Sequence, residues 1–452
     1  MVYFCLCLLL SLIVGVFVNA VSGILPIIFF VIGRTLVYFG NSKDKAAATV
    51  YSISFLCSLF YAIICYIYMK SHDYDCLLIG DTQYYLNQLR DMLLSGGSLY
   101  DIVSSLWDDY DIFVRGNKGY LAFLGIWGYL AKTIGADAYF TIQVATIAIC
   151  SLGAVIVRKL LCYHLSDQRI ISKMTWIISL CSMFFQYTTF IVRDGIIALC
   201  FYYMLLLLHQ KQSFLVLVKM LLMSIIIATI RTETGLASLL FLPTMFLLQS
   251  KNSRRGVITT LGIIASLAIL VYFLNSNITS ITTLYNDNID NYFTDTGSGV
   301  ISFLDGIPIV GPFINVIYGV IQPIPCWARL SVYYMPLLPL KHLYNIMGFP
   351  SVIYVAFNTY VVIYLLLFLF RKNKGIKIEL GALKWILIPS TVFLLLQSGI
   401  VEPRRIMGVF PVFYVIWAMA YEKMPRKYNQ TSFNLFLGIF MIFQLIGFIR
   451  YI

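Results

Sequence analysis

Long apolar runs separated by short polar connections are the feature that most restricts the fold of this chain. Residues 49–69 and 350–370, for example, contain no Asp, Glu, Lys or Arg. A helix of about 20 such residues crosses a hydrocarbon core about 30 Å thick. Charged residues make up only 12% of the 452 residues, about half the share typical of a soluble domain. The pattern excludes an ordinary soluble protein and predicts a polytopic membrane protein whose spans are helices, because lipid offers no partners to an open backbone.

We predict an all-α, polytopic transmembrane helix bundle of about thirteen spans, forming a single transmembrane domain over residues 1–452. The spans are expected at 2–19, 22–39, 49–69, 137–157, 174–192, 194–209, 214–230, 235–249, 256–274, 350–370, 381–400, 405–421 and 431–449. The first is read as an uncleaved span, because no basic region precedes it. Segments 174–209 and 214–249 are short for two spans each, which favours tight hairpins with polar tips or partly broken helices.

The distribution of Lys and Arg orients these spans. With a cytoplasmic N-terminus, the inner loops hold 20 of the 32 basic residues and 4 of the 20 acidic ones, a net charge of +16. The outer side keeps 12 basic and 16 acidic residues, a net charge of −4. This follows the positive-inside rule. It also accounts for the net charge of +12 without a nucleic-acid partner.

Two long outer loops, 70–136 and 275–349, are expected to form the extracytoplasmic face of the active site. Residues 70–118 carry eight of the 20 acidic residues. Residues 119–135 are predicted to form an interfacial or re-entrant helix, because counting them as a span would reverse the charge distribution. The apolar part of the second loop is broken by Pro and Gly, and amphipathic helices at the membrane surface are expected there.

Charged residues at the predicted outer ends of spans form the candidate site. They are Asp81, Arg193, Asp194, Arg231, Glu233, Arg329, Glu402, Arg404 and Arg405. Each has a structural alternative: Asp81 as a helix N-cap, and the others as ion pairs that end spans or close a loop. Together they favour a lipid-linked phosphate as substrate, because the planar guanidinium donates two parallel hydrogen bonds to phosphate. A nearby carboxylate is suited to deprotonate an attacking hydroxyl.

Metal and disulfide chemistry have little support in the sequence. There is no CxxC, and His72, His164, His209 and His342 are isolated in the sequence. The run Asp108, Asp109 and Asp111 resembles a DxD metal motif, but acidic runs in outer loops are usually solvated. No cofactor is predicted, although a divalent cation bound by this run is an alternative that the sequence leaves open.

The order of these features resembles the GT-C superfamily of multi-spanning glycosyltransferases that use polyprenyl-phosphate sugars, particularly bacterial members near family 39. The resembling segments are GDTQYYL (80–86), GYLAFLGIWGYLAKTIG (119–135), AVIVRKLL (154–161), the tips at Arg193–Asp194 and Arg231, and EPRRIMGVFP (402–411). Two departures are Thr82, where the family often has a second acidic residue, and two extra spans before the first outer loop.

The resemblance implies a role for each matching residue. Asp81 would be the general base, and Arg231, Arg404 and Arg405 would hold the donor phosphate. Asp194, Glu233 and Glu402 would orient arginines or sugar hydroxyls, and Arg193, Tyr84 and Tyr85 would contribute to substrate binding. It further implies a bacterial inner membrane with the site facing the periplasm or exterior, and a glycan or lipid acceptor.

Two other functions remain open from the sequence. An O-antigen or capsule repeat-unit polymerase also has about a dozen spans and arginine-rich outer loops, and acts on lipid-diphosphate oligosaccharides. A lipid-linked saccharide flippase or other transporter fits less well, because transporters typically have internal repeats and charges near the bilayer midplane.

Overall fold

The structure, a computed structural model, describes residues 2–71, 81–95, 98–108, 118–211, 213–249, 310–321, 326, 340–370, 378–396 and 403–451. Within these residues the secondary structure is helical, without strands. The predicted span 256–274 and most of the second long loop lie outside them.

The α-helices are numbered in chain order. They are α1 Val2–Phe17, α2 Ala20–Gly40, α3 Lys45–Ser71, α4 Asp81–Ser95, α5 Leu99–Asp108, α6 Lys118–Ile134, α7 Ala138–Cys150, α8 Leu152–His164, α9 Gln168–Cys181, α10 Met183–Thr188, α11 Asp194–Leu208, α12 Phe214–Ile230, α13 Thr232–Ser238, α14 Leu242–Gln249, α15 Val310–Ile321, α16 Leu340–Phe370, α17 Leu383–Leu396, α18 Pro403–Ile406, α19 Phe410–Lys423 and α20 Arg426–Tyr451.

Six helical segments in the described part of the chain are long and apolar enough to cross a membrane. They are Ala20–Gly40, Lys45–Ser71, Ala138–His164, Val352–Phe370, Arg404–Lys423 and Arg426–Ile446. Four shorter apolar helices, at Val2–Phe17, Asp194–Leu208, Phe214–Ile230 and Leu383–Leu395, coincide with further predicted spans. The all-helical membrane class is therefore confirmed, while the count of about thirteen is not.

The predicted spans 174–192 and 235–249 are broken helices. In the first, α9 ends at Cys181, the backbone of the next residue, Ser182, is extended (ψ 157°), and the shorter α10 follows. In the second, α13, a 3-10 turn at Leu239–Phe241 and α14 replace one continuous helix. Partly broken helices were one of the two alternatives that the shortness of these runs had left open.

One end of the bundle gathers connections that were predicted to be cytoplasmic, and we call it the basic end. Arg158 pairs with Asp44 at 3.9 Å, and the backbone N–H of Asp167 donates to Glu422 at 2.9 Å. His164 and His209 also meet here, with their Nε2 atoms 2.7 Å apart. Treating these two histidines as isolated was therefore wrong: the contact joins residues 45 positions apart.

The other end of the bundle, which we call the site end, gathers the opposite helix termini. The Tyr66 hydroxyl donates to Asp137 at 2.9 Å, and the Thr82 hydroxyl donates to the Ile191 carbonyl at 3.1 Å. Successive predicted spans therefore run between the basic end and the site end in opposite directions, as expected of an up-and-down bundle.

Helix α6 has both of its termini at the site end. At its start, a Cβ on Gly119 would lie 2.3 Å from Thr229 Oγ1, near the end of α12. At its end, Gly135 adopts a left-handed conformation (φ 73°) that terminates the helix, and its carbonyl accepts a hydrogen bond from Asn19 at 3.5 Å. The helix therefore begins and ends at one end of the bundle.

Candidate functional site

Arg231 occupies a break between two helices at the site end. Its backbone is extended (φ −153°, ψ 105°), which ends α12 at Ile230 and starts α13 at Thr232. A Cβ on Gly235 would lie 2.4 Å from Ala228 Cα, so α13 folds back directly against α12. This reversal holds the Arg231 side chain inside the protein, where only 2% of it is exposed.

The second half of the site is an irregular segment between α10 and α11. Two of its backbone carbonyls accept hydrogen bonds from side chains of other helices: Gln143 of α7 donates to the Thr189 carbonyl at 2.6 Å, and Thr82 of α4 donates to that of Ile191. Such partners make non-helical backbone tolerable in a membrane protein. Asp194 then begins α11, where a carboxylate is favoured by the helix dipole.

Asp194 is the centre of a buried charge cluster. Arg231 Nη2 lies 2.8 Å from Asp194 Oδ1, and Arg404 Nη1 lies 3.8 Å from Asp194 Oδ2. Arg231 Nε is also 3.6 Å from Glu233 Oε1. The Asp194 side chain is 1% exposed, whereas those of Arg404 and Glu233 are 21% and 33% exposed. The cluster is thus sealed at Asp194 and opens toward Arg404 and Glu233.

Helix α4 brings its N-terminus to this cluster. The Thr82 hydrogen bond to Ile191 joins the start of α4 to the segment that leads into Asp194. Asp81 is the first residue of α4, so its backbone belongs to the same region, while its side chain lies outside the described part. Tyr84 and Tyr85 follow on this helix, with their ring centroids 5.6 Å apart.

Lys118 and Tyr120 at the start of α6 join this region, and the sequence reasoning had not selected them. Lys118 is only 4% exposed, and its neighbour Gly119 packs on Thr229, two residues before Arg231. The Tyr120 ring lies 4.8 Å from that of Tyr85. A lysine that opens an apolar helix was the available signal for Lys118.

The pKa of the Tyr120 hydroxyl is shifted by its buried, charged surroundings. Burial raises the pKa of Tyr120 well above its usual value, nearby Tyr85 and Asp194 raise it further, and Arg193 lowers it. Tyr120 is therefore a neutral phenol at physiological pH. Its oxygen is buried and has no hydrogen-bond partner among the described residues.

Further cations lie close to the ion pairs of this cluster. Arg193 and Arg405 are adjacent in sequence to Asp194 and Arg404, and Lys118 lies at the start of α6 beside Gly119, which packs on Thr229. Arg193 and Arg405 are both half-buried. Partly buried arginines beside a sealed carboxylate suit an anionic ligand, because a guanidinium donates paired hydrogen bonds to phosphate or carboxylate.

Several predicted residues are not among those that the structure describes. Glu402, Arg329, Asp109 and Asp111 lie outside the described residues, as does the side chain of Asp108. In the described part of the chain, no group of three or more His, Cys, Asp or Glu side chains has the arrangement of a metal site.

Comparison with family models, curated proteins and solved structures gives no match.

Proposed function

We propose that the protein is an integral-membrane glycosyltransferase that moves a sugar from a polyprenyl-phosphate donor to a glycan or lipid acceptor. The observation that carries this proposal is the meeting of Arg231, Arg404 and Asp194 beside the N-terminus of α4, which begins with Asp81. A phosphate group suits the partly exposed Arg404 guanidinium, which can donate paired hydrogen bonds to it. A polyprenyl tail would lie between helices, because the site is at the end of an apolar bundle.

The topology proposed with this function follows the charge distribution. The basic end faces the cytoplasm and the site end faces the exterior of a bacterial inner membrane, with about thirteen spans in the whole chain. The paired α6 termini at the site end support an interfacial or re-entrant segment there. The outer loops 70–136 and 275–349 complete the face.

The reaction needs one base and one set of cations. Asp81 accepts the proton of the acceptor hydroxyl as its oxygen bonds to the anomeric carbon of the donor sugar. The bond from that carbon to the phosphate oxygen breaks, and the polyprenyl phosphate leaves with the electron pair. Arg404 and Arg231 stabilise the charge on the leaving phosphate, and Asp194 keeps Arg231 in place.

Replacing the proposed base is the direct test. Asp81→Asn should abolish transfer of labelled sugar from polyprenyl-phosphate donors in isolated membranes while the protein remains inserted. Asp91→Asn is the matched control, since Asp91 is an exposed carboxylate on the same helix. Near-normal transfer by Asp81→Asn would remove Asp81 from the mechanism.

A repeat-unit polymerase is the second candidate, and the presence of two arginines, Arg231 and Arg404, beside one buried carboxylate favours it, because two guanidinium groups can hold the two phosphates of a diphosphate. The two activities leave different products in a deletion strain. Loss of a polymerase leaves single repeat units on the lipid, whereas loss of the transferase leaves a truncated unit, and gel analysis of surface polysaccharide separates these outcomes.

A further inference from the structure

A cavity of about 730 Å³ opens at the basic end of the bundle, away from the site described above. It lies between α9, α16, α19 and α20, and its volume is within the range of small-molecule sites. Its lining is polar and cationic at one end and apolar and aromatic over the rest, and this division indicates what it binds.

The end of the cavity nearest the helix connections is polar and cationic. Lys173 and Arg426 line it together with Asn429 and Gln430, and no Asp or Glu is among the described residues that line it. Lys173 Nζ donates to the Tyr421 hydroxyl at 2.9 Å and lies 4.9 Å from the centroid of its ring. Tyr421 therefore orients the ammonium group without neutralising its charge.

The neighbouring carboxylate is engaged elsewhere. Glu422 Oε1 accepts the backbone N–H groups of Ser166 and Asp167 at 3.0 and 2.9 Å. Asp167 in turn caps α9 by accepting the backbone N–H of Arg169 at 2.7 Å. The two cations in the cavity thus retain the capacity to bind an external anion.

The rest of the cavity is apolar and aromatic. The ring of Tyr360 lies 5.7 Å from Phe433, 5.3 Å from Phe436 and 5.8 Å from Trp417, which forms a continuous wall. Ile353 and Cys181 line the far end. This lining accepts a hydrocarbon chain and offers little to a sugar.

The dimensions match one leaflet of a bilayer. The lining runs from Lys173 to Cys181 on α9 and from Arg426 to Phe436 on α20, which at about 1.5 Å per residue is roughly 12–15 Å. Half of a hydrocarbon core is about 15 Å. A headgroup at the two cations would therefore place an acyl chain against the aromatic wall.

We infer that this cavity is a binding site for an anionic glycerophospholipid of the adjacent leaflet, with its phosphate between Lys173 and Arg426 and one acyl chain along Tyr360, Phe433 and Phe436. Basic pockets between spans at the cytoplasmic side are typical headgroup sites. The site is independent of the proposed transfer reaction, because it lies at the other end of the bundle.

Lipid retention by the purified full chain tests the inference. Native mass spectrometry would measure phosphatidylglycerol and phosphatidylcholine carried through detergent. The double variant Lys173→Gln/Arg426→Gln should lose retained phosphatidylglycerol by about 25-fold, because each basic residue near a membrane surface contributes about a fivefold factor. The control Arg169→Gln/Lys427→Gln makes the same charge change on the same two helices at exposed positions that do not line the cavity, and it should retain the lipid.

A second variant tests the acyl chain. Ala356→Phe fills the cavity and should reduce phosphatidylglycerol retention, whereas Leu366→Phe on the same helix, outside the lining, should not. Equal losses in the cavity and control variants would overturn the inference, as would unchanged retention in both cavity variants. Displacement of the lipid by glycerol phosphate at equal concentration would also overturn it, because that result would mean that the acyl chain contributes nothing to the affinity.

Discussion

Removing the charge of Asp194 should be among the most destabilising single changes in the described part of this protein. Asp194→Asn leaves the Arg231 guanidinium, 2% exposed and now 2.8 Å from a neutral amide, without its closest carboxylate. Removing one partner of a buried ion pair costs about 3–5 kcal/mol, because the remaining charge stays desolvated. Glu233→Gln removes a carboxylate 3.6 Å from the same arginine but 33% exposed, and it should cost about 1 kcal/mol or less.

Unfolding of the purified protein in mixed micelles, with increasing sodium dodecyl sulfate, would measure both costs. The single variants Asp194→Asn and Arg231→Gln and their combination form a double-mutant cycle. We expect the combination to be less destabilising than the sum of the two by about 2–3 kcal/mol, because it removes both charges of the pair. Arg404, 3.8 Å from Asp194, remains in all variants.

Two results would refute this reasoning. If Asp194→Asn and Glu233→Gln cost the same within about 0.5 kcal/mol, burial would not govern the strength of the pair. If the two single costs simply added in the combined variant, Asp194 and Arg231 would not interact in the folded protein.

Three further predictions address binding, packing and topology. Arg404→Lys should raise the KM for a polyprenyl-phosphate donor by roughly 10-fold or more with a smaller change in kcat, because lysine cannot donate the paired hydrogen bonds of a guanidinium; an unchanged KM would exclude Arg404 from phosphate binding. Gly235→Ala should lower the free energy of unfolding by about 1–3 kcal/mol, because the new Cβ would meet the Ala228 backbone at 2.4 Å, whereas Gly438→Ala, with nothing within 4 Å, should have no such cost. A variant that keeps only the exposed Cys162 should react with an impermeant maleimide in inverted vesicles and not in intact cells. Reporter fusions should give a cytoplasmic signal at residues 45 and 165 and an external signal at residues 75 and 300. A cytoplasmic signal at residue 75 would contradict the orientation.

The helical breaks show where local patterns stop being informative. Apolar periodicity indicates how much chain is buried, but a break such as that at Arg231 depends on whether another part of the protein satisfies the backbone. Here Gln143 and Thr82, which lie 46 and 109 residues from the carbonyls that they bind, stabilise the irregular segment before Asp194. No local signal predicts partners at such separations.

The pairing of charges has the same origin. The sequence places Arg193 beside Asp194 and Glu233 two residues after Arg231, which suggests local ion pairs. The structure forms the local pair of Arg231 with Glu233, and it also pairs Asp194 with Arg231 and Arg404, 37 and 210 positions away. It also places the start of α6, with Lys118, near Arg231. At the basic end it brings His164 into contact with His209.

The sequence by itself determined that this is an all-helical membrane protein with one strongly basic set of connections and a set of arginines and carboxylates at the opposite helix ends. These properties are local, because the cost of burying charge and open backbone in lipid applies to each segment separately. Only the tertiary structure decided which helix ends meet, and therefore which carboxylate faces which arginine, because contacts between distant segments depend on the packing of the whole bundle.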